Sequence, residues 1–309
     1  MSVARGKEFD FHRVSDRVTA LGGPYAFVYW VIGEQALLID AGTVIWGRKI
    51  RQAIPVYLDY EEFTWHTLTH SHYDHLGGTP EIYEAFRDIQ IGAHPRVKRV
   101  LKSPRALEHI TRMNQKELLA WGRPRIQAER YRFRPFPIHR ELTEGARLHL
   151  GDGVEVEVLE TPGHTRDSIT FLIHPEGVAV VGEAAGVPNW KGEFILPQFL
   201  ADYEMYLDSL KKLMARQDIE VLGLPHERII FGRKEVQDYL KRSYEITLEY
   251  AQDIAAALRR HNGDLKAAED EIFERYYGPK ELRQPEFAFR ANLQAQVRAI
   301  ARHLGIAPA

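Results

Sequence analysis

His70-Ser71-His72-Tyr73-Asp74-His75-Leu76-Gly77-Gly78 decides how this chain is read, because it sets four potential metal ligands within six residues. It directly follows an apolar stretch, Phe63 to Thr69, that reads as a buried strand. At an extended strand end, side chains two residues apart point the same way, so His70 and His72 can share one ion. Asp74 and His75 come after the chain has begun to turn and can face a second ion. Gly77 and Gly78 permit a tight passage into the helix predicted from Thr79 to Phe86. Single residues at the ends of later predicted strands extend the set: His164 in Thr161-Pro162-Gly163-His164-Thr165, Glu183 in Val180-Val181-Gly182-Glu183-Ala184, and His226 in Leu224-Pro225-His226-Glu227. A carboxylate such as Glu183 can bridge two ions through its two oxygens. The chain has no cysteine, so disulfides and thiolate ligands are excluded. Imidazole and carboxylate donors suit zinc, manganese or iron in the divalent state.

The rest of the composition narrows the class. With 309 residues, 44% of them hydrophobic and 27% charged, the chain reads as an ordinary globular protein with room for one large α/β domain and a small one. The N-terminus carries no apolar run of the kind a signal peptide or membrane span needs, so a cytoplasmic protein without a membrane partner is expected. The net charge of −2 hides an asymmetry. Residues 96–134 hold 12 Lys/Arg against Glu108, Glu117 and Glu129, a surplus of nine that leaves the remainder at −11. This stretch reads either as a solvated helical surface or as an anion-attracting wall near a substrate entrance. It lacks the aromatic or glycine-rich reading elements that nucleic acid would require.

Apolar alternation and turn residues predict a β-meander from Val18 to Ile39, a helix from about Gly47 to Tyr57, and a strand at Ile89 to Ala93. Two helices, Val97 to Leu101 and Arg105 to Trp121, form the basic segment, followed by strands around Arg147 to Val181. An apolar loop, Ala185 to Phe199, carries Trp190, Phe194 and Phe199. Residues 1–232 therefore read as one α/β domain carrying the ligand cluster, with a basic helical insertion at about 96–134. Residues 233–309 read as an all-helical extension that serves as a lid or a dimerisation element. Within it, Val236 to Arg259 keeps one apolar face and is expected to pack across the mouth of the site.

The cluster and its downstream partners resemble the His-x-His-x-Asp-His signature of the metallo-β-lactamase superfamily, over roughly Val18 to Gly232. The resemblance implies an αββα sandwich of two mixed β-sheets with helices outside. It implies two divalent ions, zinc or iron with manganese possible, one held by His70, His72 and His164 and the other by Asp74, His75 and His226. Asp40 matches an acid that orients the ligands from behind, and Tyr73 either donates to the site or packs beneath it. The bridging position, usually aspartate in this family, is Glu183 here. The implied chemistry is hydrolysis of an electrophilic carbonyl by hydroxide generated at the ions, with Asp74 and Glu183 as the catalytic carboxylates.

The helical insertion, the aromatic loop and the C-terminal helices are further similar to the acyl-CoA thioesterase branch that contains the quinolone-signal response protein. Phe199, Asp202, Tyr206, Ser209 and Leu210 carry that similarity. It implies an acyl-CoA or aroyl-CoA thioester as substrate, with the basic wall meeting the coenzyme's phosphates. Trp190, Phe194, Phe199, Tyr276, Tyr277 and Phe287 are then candidate acyl-pocket residues. A hydroxyacylglutathione hydrolase, a lactonase and a non-catalytic regulatory metal-binding protein are the alternatives, and family resemblance makes a homodimer reasonable.

Overall fold

A computed structural model describes residues 10–23, 25–57 and 62–306. They fall into two compact units, 10–160 with 169–180, and 161–168 with 181–306. The first eight residues, read above for a signal sequence, lie outside the described residues.

The first unit opens with β1 (Asp10–Arg13), β2 (Val18–Gly23), β3 (Ala26–Ile32) and β4 (Ala36–Ile39), an antiparallel meander. After α1 (Val44–Tyr57) the sheet continues in parallel through β5 (Phe63–Thr67). Beyond α2 (Tyr73–Leu76) and α3 (Thr79–Ala85) comes β6 (Gln90–Ala93). The basic segment forms α4 (Pro95–Lys102), α5 (Pro104–Ala120) and α6 (Arg125–Arg130), and β7 (Arg140–Glu141) closes a seven-stranded sheet in chain order. Then β8 (Arg147–Gly151), β9 (Val154–Glu160), β10 (Ile169–His174) and β11 (Val178–Val180) pair antiparallel. Every residue of the central strand β4 is buried, as expected where a strand is covered on both faces. Strand β9 instead alternates buried and half-buried positions.

Helix α1 starts three residues earlier than the local pattern predicts. The backbone N–H of Val44 donates to Asn114 Oδ1 at 2.9 Å, so a side chain on α5 caps it across the fold. Caps inside the basic segment are local: His94 accepts from Arg96 N at the head of α4, and Ser103 accepts from Ala106 N at the head of α5. The short α6 has no such cap in its sequence and was not expected. At Gly78 the need for glycine is proximity rather than dihedral freedom, since its φ is −83°. A Cβ there would lie 2.3 Å from the Ala41 carbonyl oxygen and 2.6 Å from Gly47 Cα. The chain can turn out of the histidine cluster only by pressing backbone on backbone.

The second unit holds a 3₁₀ turn (Gly182–Ala185), a small hairpin of β12 (Val187–Pro188) and β13 (Ile195–Leu196), and α7 (Tyr203–Ala215), which Asp202 caps through Met205 N. A second hairpin of β14 (Val221–Gly223) and β15 (Ile229–Phe231) precedes α8 (Arg233–Arg260), α9 (Leu265–Tyr276) and α10 (Glu286–His303). Asp264 caps α9, as its position predicts, through Lys266 N and Ala267 N. The apolar face of α8, from Val236 and Leu240 to Ile254 and Leu258, is buried, and the helix packs on α7, α9, α10 and the β13 to β15 strands. That face is used inside this unit. With a seven-stranded mixed sheet, a second sheet of β8 to β11 in the same unit, and helices in both units, the architecture is the α/β class expected. Among the described residues no helix is long and apolar enough to cross a membrane.

Candidate metal centre

In the first unit the loop carrying the candidate ligands leaves β5 under the control of Asp40. This residue follows β4 with φ at 62°, a left-handed backbone that is uncommon for a side chain other than glycine, asparagine or aspartate. Its Oδ1 accepts the backbone N–H of Thr69 at 2.8 Å, and its Oδ2 accepts Thr69 Oγ1 at 2.7 Å and His75 Nδ1 at 2.8 Å. Because the Thr69 hydroxyl donates its proton to Asp40, its oxygen accepts from His70 Nδ1 at 3.1 Å. The relay fixes the proton on Nδ1 of both His70 and His75 and leaves the lone pair on Nε2. Aiming and polarising an imidazole through its far nitrogen is the usual preparation of a metal ligand. Asp40, Thr69, His70 and His75 are all buried, so these bonds act in a low dielectric. His72 and Asp74 are half-buried, at the side of the loop that solvent reaches.

In the second unit His164 follows Gly163, whose φ of +128° and 2.3 Å clearance from Tyr206 Cα leave no room for a side chain. His164 Nδ1 donates to the Gln198 carbonyl oxygen at 2.8 Å, so its lone pair too is on Nε2. Glu183 sits in the 3₁₀ turn after β11, with Tyr206 Oη donating to its carbonyl oxygen at 3.3 Å. Ser243 on α8 supports the end of the same turn by donating to Ala185 O at 2.8 Å. The carboxylate reaches two imidazoles: Oε2 lies 3.5 Å from His164 Nε2, and Oε1 lies 3.2 Å from His226 Nε2.

The predicted ligands assemble into two groups. The first unit brings His70, His72, Asp74 and His75 onto one loop, and the second brings His164 and His226 to the two oxygens of Glu183. Three imidazoles with a carboxylate in the first unit, and two imidazoles with a carboxylate in the second, are donors suited to divalent ions of borderline character. His66, not singled out in the sequence, shows the contrast. Its two nitrogens are engaged by Leu38 O and Thr79 Oγ1, burial lowers its pKa to about 4, and it is a neutral structural histidine.

Of the remaining candidates, Tyr73 packs against the first unit's core. Trp190 is 44% exposed, with Arg283 and Lys191 against its ring. Phe194 is buried 5.6 Å from the Tyr276 ring. Phe199 is fully buried among Tyr203, Tyr206 and Tyr250, Tyr276 donates to Asp253, and Tyr277 stacks on Phe273 at 4.9 Å. In the basic segment, α5 runs beside the histidine loop. Burial, then the charges of His72, Arg112 and Lys116, lower the pKa of His109. Sequence reasoning missed two participants. Thr69 adjoins the cluster and its hydroxyl could have been noticed, whereas Gln198 acts through a backbone carbonyl and leaves no signal in residue type.

Residues 21–233 match the family model of the metallo-β-lactamase superfamily, and the chain belongs to that family. A metallo-β-lactamase fold-containing protein of Sulfurisphaera tokodaii is 24% identical over 224 residues, 70% of this chain and 78% of its own length. The atrochrysone carboxyl ACP thioesterase of Aspergillus fumigatus is 25% identical over 186 residues, 59% of this chain and 44% of its own. Among solved structures, a metallo-β-lactamase family protein of Thermus thermophilus superposes with a TM-score of 0.63 at 18% identity, covering 96% of this chain and 93% of that one. Family, fold and donor groups together imply divalent metal ions.

Proposed function

We propose that this chain is a two-ion hydrolase of thioesters, with an acyl-CoA or aroyl-CoA as the substrate class. The observation that carries the reading is the set of imidazole and carboxylate donors within each unit, with His70, His75 and His164 each held through Nδ1 so that Nε2 keeps its lone pair. The structural histidine His66 differs in that its Nε2 is taken up by Thr79 Oγ1.

When bound, the ions supply Lewis acidity that makes water a nucleophile near neutral pH and polarises a carbonyl. The chain's own residues do the rest. Asp74, half-buried, accepts a hydrogen bond from the attacking water and orients it toward the thioester carbon. Glu183, with one oxygen toward His164 and the other toward His226, would hold metal beside both imidazoles. Asp40 and Thr69 keep the imidazoles from rotating as charge develops. The cations of α5 beside His72 supply an anion-attracting flank suited to coenzyme phosphates, and Trp190 and Phe194 supply apolar contact for the acyl group. The thioesterase among the relatives supports the thioester as the bond cleaved.

The test is a panel of acyl-CoA, aroyl-CoA, acyl-glutathione and lactone substrates, followed by thiol or acid release with the zinc-loaded and the iron-loaded protein. Preferential cleavage of a CoA thioester is expected. Cleavage of lactones or glutathione thioesters alone would replace the substrate assignment, and no turnover on any of them would sink the hydrolase reading.

A further inference from the structure

The carbonyl that holds His164 is itself held by the C-terminal helix. Pro197 and Gln198 follow β13 without regular structure of their own, yet Gln198 is 1% exposed and its carbonyl oxygen is the acceptor for His164 Nδ1. Two α10 side chains one turn apart fix this dipeptide. Gln296, also 1% exposed, donates through Nε2 to Pro197 O at 2.5 Å, and Asn292 donates through Nδ2 to Gln198 Oε1 at 3.2 Å. Gln296 is oriented in turn by Tyr250 on α8, whose hydroxyl donates to Gln296 Oε1 at 3.1 Å, so the amide cannot flip without losing both partners. The loop is cross-braced as well: Ala201 N donates to Gly163 O at 3.0 Å, and Arg302, at the end of α10, donates to Ala201 O at 3.2 Å.

We infer that Asn292 and Gln296 are positioning residues for His164, and that the C-terminal helix is a strut for this ligand. Helix α10 sets the height of the Gln198 carbonyl, and the carbonyl sets the tautomer and angle of the imidazole. An apolar residue would fill the Gln296 position at lower cost, since a buried amide is tolerable only when both its ends are satisfied. The inference rests on His164 being an ion ligand and is independent of the substrate.

Gln296→Met in the full chain tests it. Zinc affinity is read by competition with a chromophoric chelator, and the His164 tautomer by ¹⁵N spectra of the metal-free protein. The first-ion dissociation constant should rise about tenfold, in the range found when outer partners of metal-bound histidines are removed. The Nδ1–H tautomer of His164 should lose its predominance. Leu293→Ala, a buried apolar position on the same helix, should lower the melting temperature at least as much while leaving affinity and tautomer unchanged. Should Gln296→Met fail to fold, Asn292→Ala at its half-buried position carries the same readouts. Unchanged affinity and tautomer in the amide variants, or an equal affinity loss in Leu293→Ala, would overturn the inference. A wild-type chain that binds no zinc would instead overturn the metal-centre reading beneath it.

Discussion

On the proposed reading, replacing His70, His72 or Asp74 singly by alanine should reduce hydrolysis by at least about 10³-fold, because each change removes a residue that would hold metal, and bound metal would supply the Lewis acidity the reaction needs. The protein should remain folded. The strands of the first unit close by backbone pairing and apolar burial in which these side chains take no part. On the two-ion reading, metal analysis should show one ion lost in His70→Ala or His72→Ala and the other in Asp74→Ala. Glu183→Asp belongs to the same series and should keep measurable turnover, since a shorter carboxylate still offers two oxygens, while Glu183→Ala should not. Alanine variants with near-native rates and unchanged metal content would show that the reaction runs elsewhere.

Asp40→Asn should lower ion affinity by about 10–100-fold without touching a ligand. Asparagine tolerates the left-handed backbone at φ 62°, so the substitution does not strain the main chain. It keeps an oxygen for the Thr69 N–H but places an amide where Oδ2 accepts from both Thr69 Oγ1 and His75 Nδ1. Donors then face donors, and the imidazoles of His75 and His70 must change tautomer or rotate. The unmet bonds should also destabilise the fold by about 1–3 kcal/mol. Chelator competition checks the first effect and denaturant unfolding the second. Affinity within twofold of wild type would show that the relay through Thr69 does not set the ligands.

The candidate donors are legible in sequence because a ligand pattern of this kind is written locally. His70 to His75 are spaced by the geometry of a strand end entering a turn, and Asp40, His164, Glu183 and His226 each terminate or follow a strand-like apolar run. Boundaries set by tertiary partners are not legible. The start of α1 is fixed by Asn114, which lies 70 residues downstream, and no local propensity could place it. The same limit hides Gln198, whose contribution is a main-chain carbonyl, and Gln296, which reaches that segment from 99 residues away. Aromatic residues are ambiguous for another reason. Trp190 and Phe199 look alike in a glycine- and proline-rich stretch, yet Trp190 is 44% exposed and Phe199 fully buried, because burial depends on which helix lies above them. The apolar face of α8 likewise predicts a covering role without saying what it covers. In the structure it covers its own unit and, through Ser243, buttresses the turn that carries Glu183.

The most direct test of the central claim is to count metal ions per chain in protein purified without chelators and to follow acyl-CoA hydrolysis while the ions are removed and returned. The account predicts about two zinc or iron ions per chain, with turnover lost on chelation and restored by metal alone, because nucleophilic water at neutral pH requires the bound cation. Fewer than about half an ion per chain, or hydrolysis that survives complete removal of the metal, would contradict it.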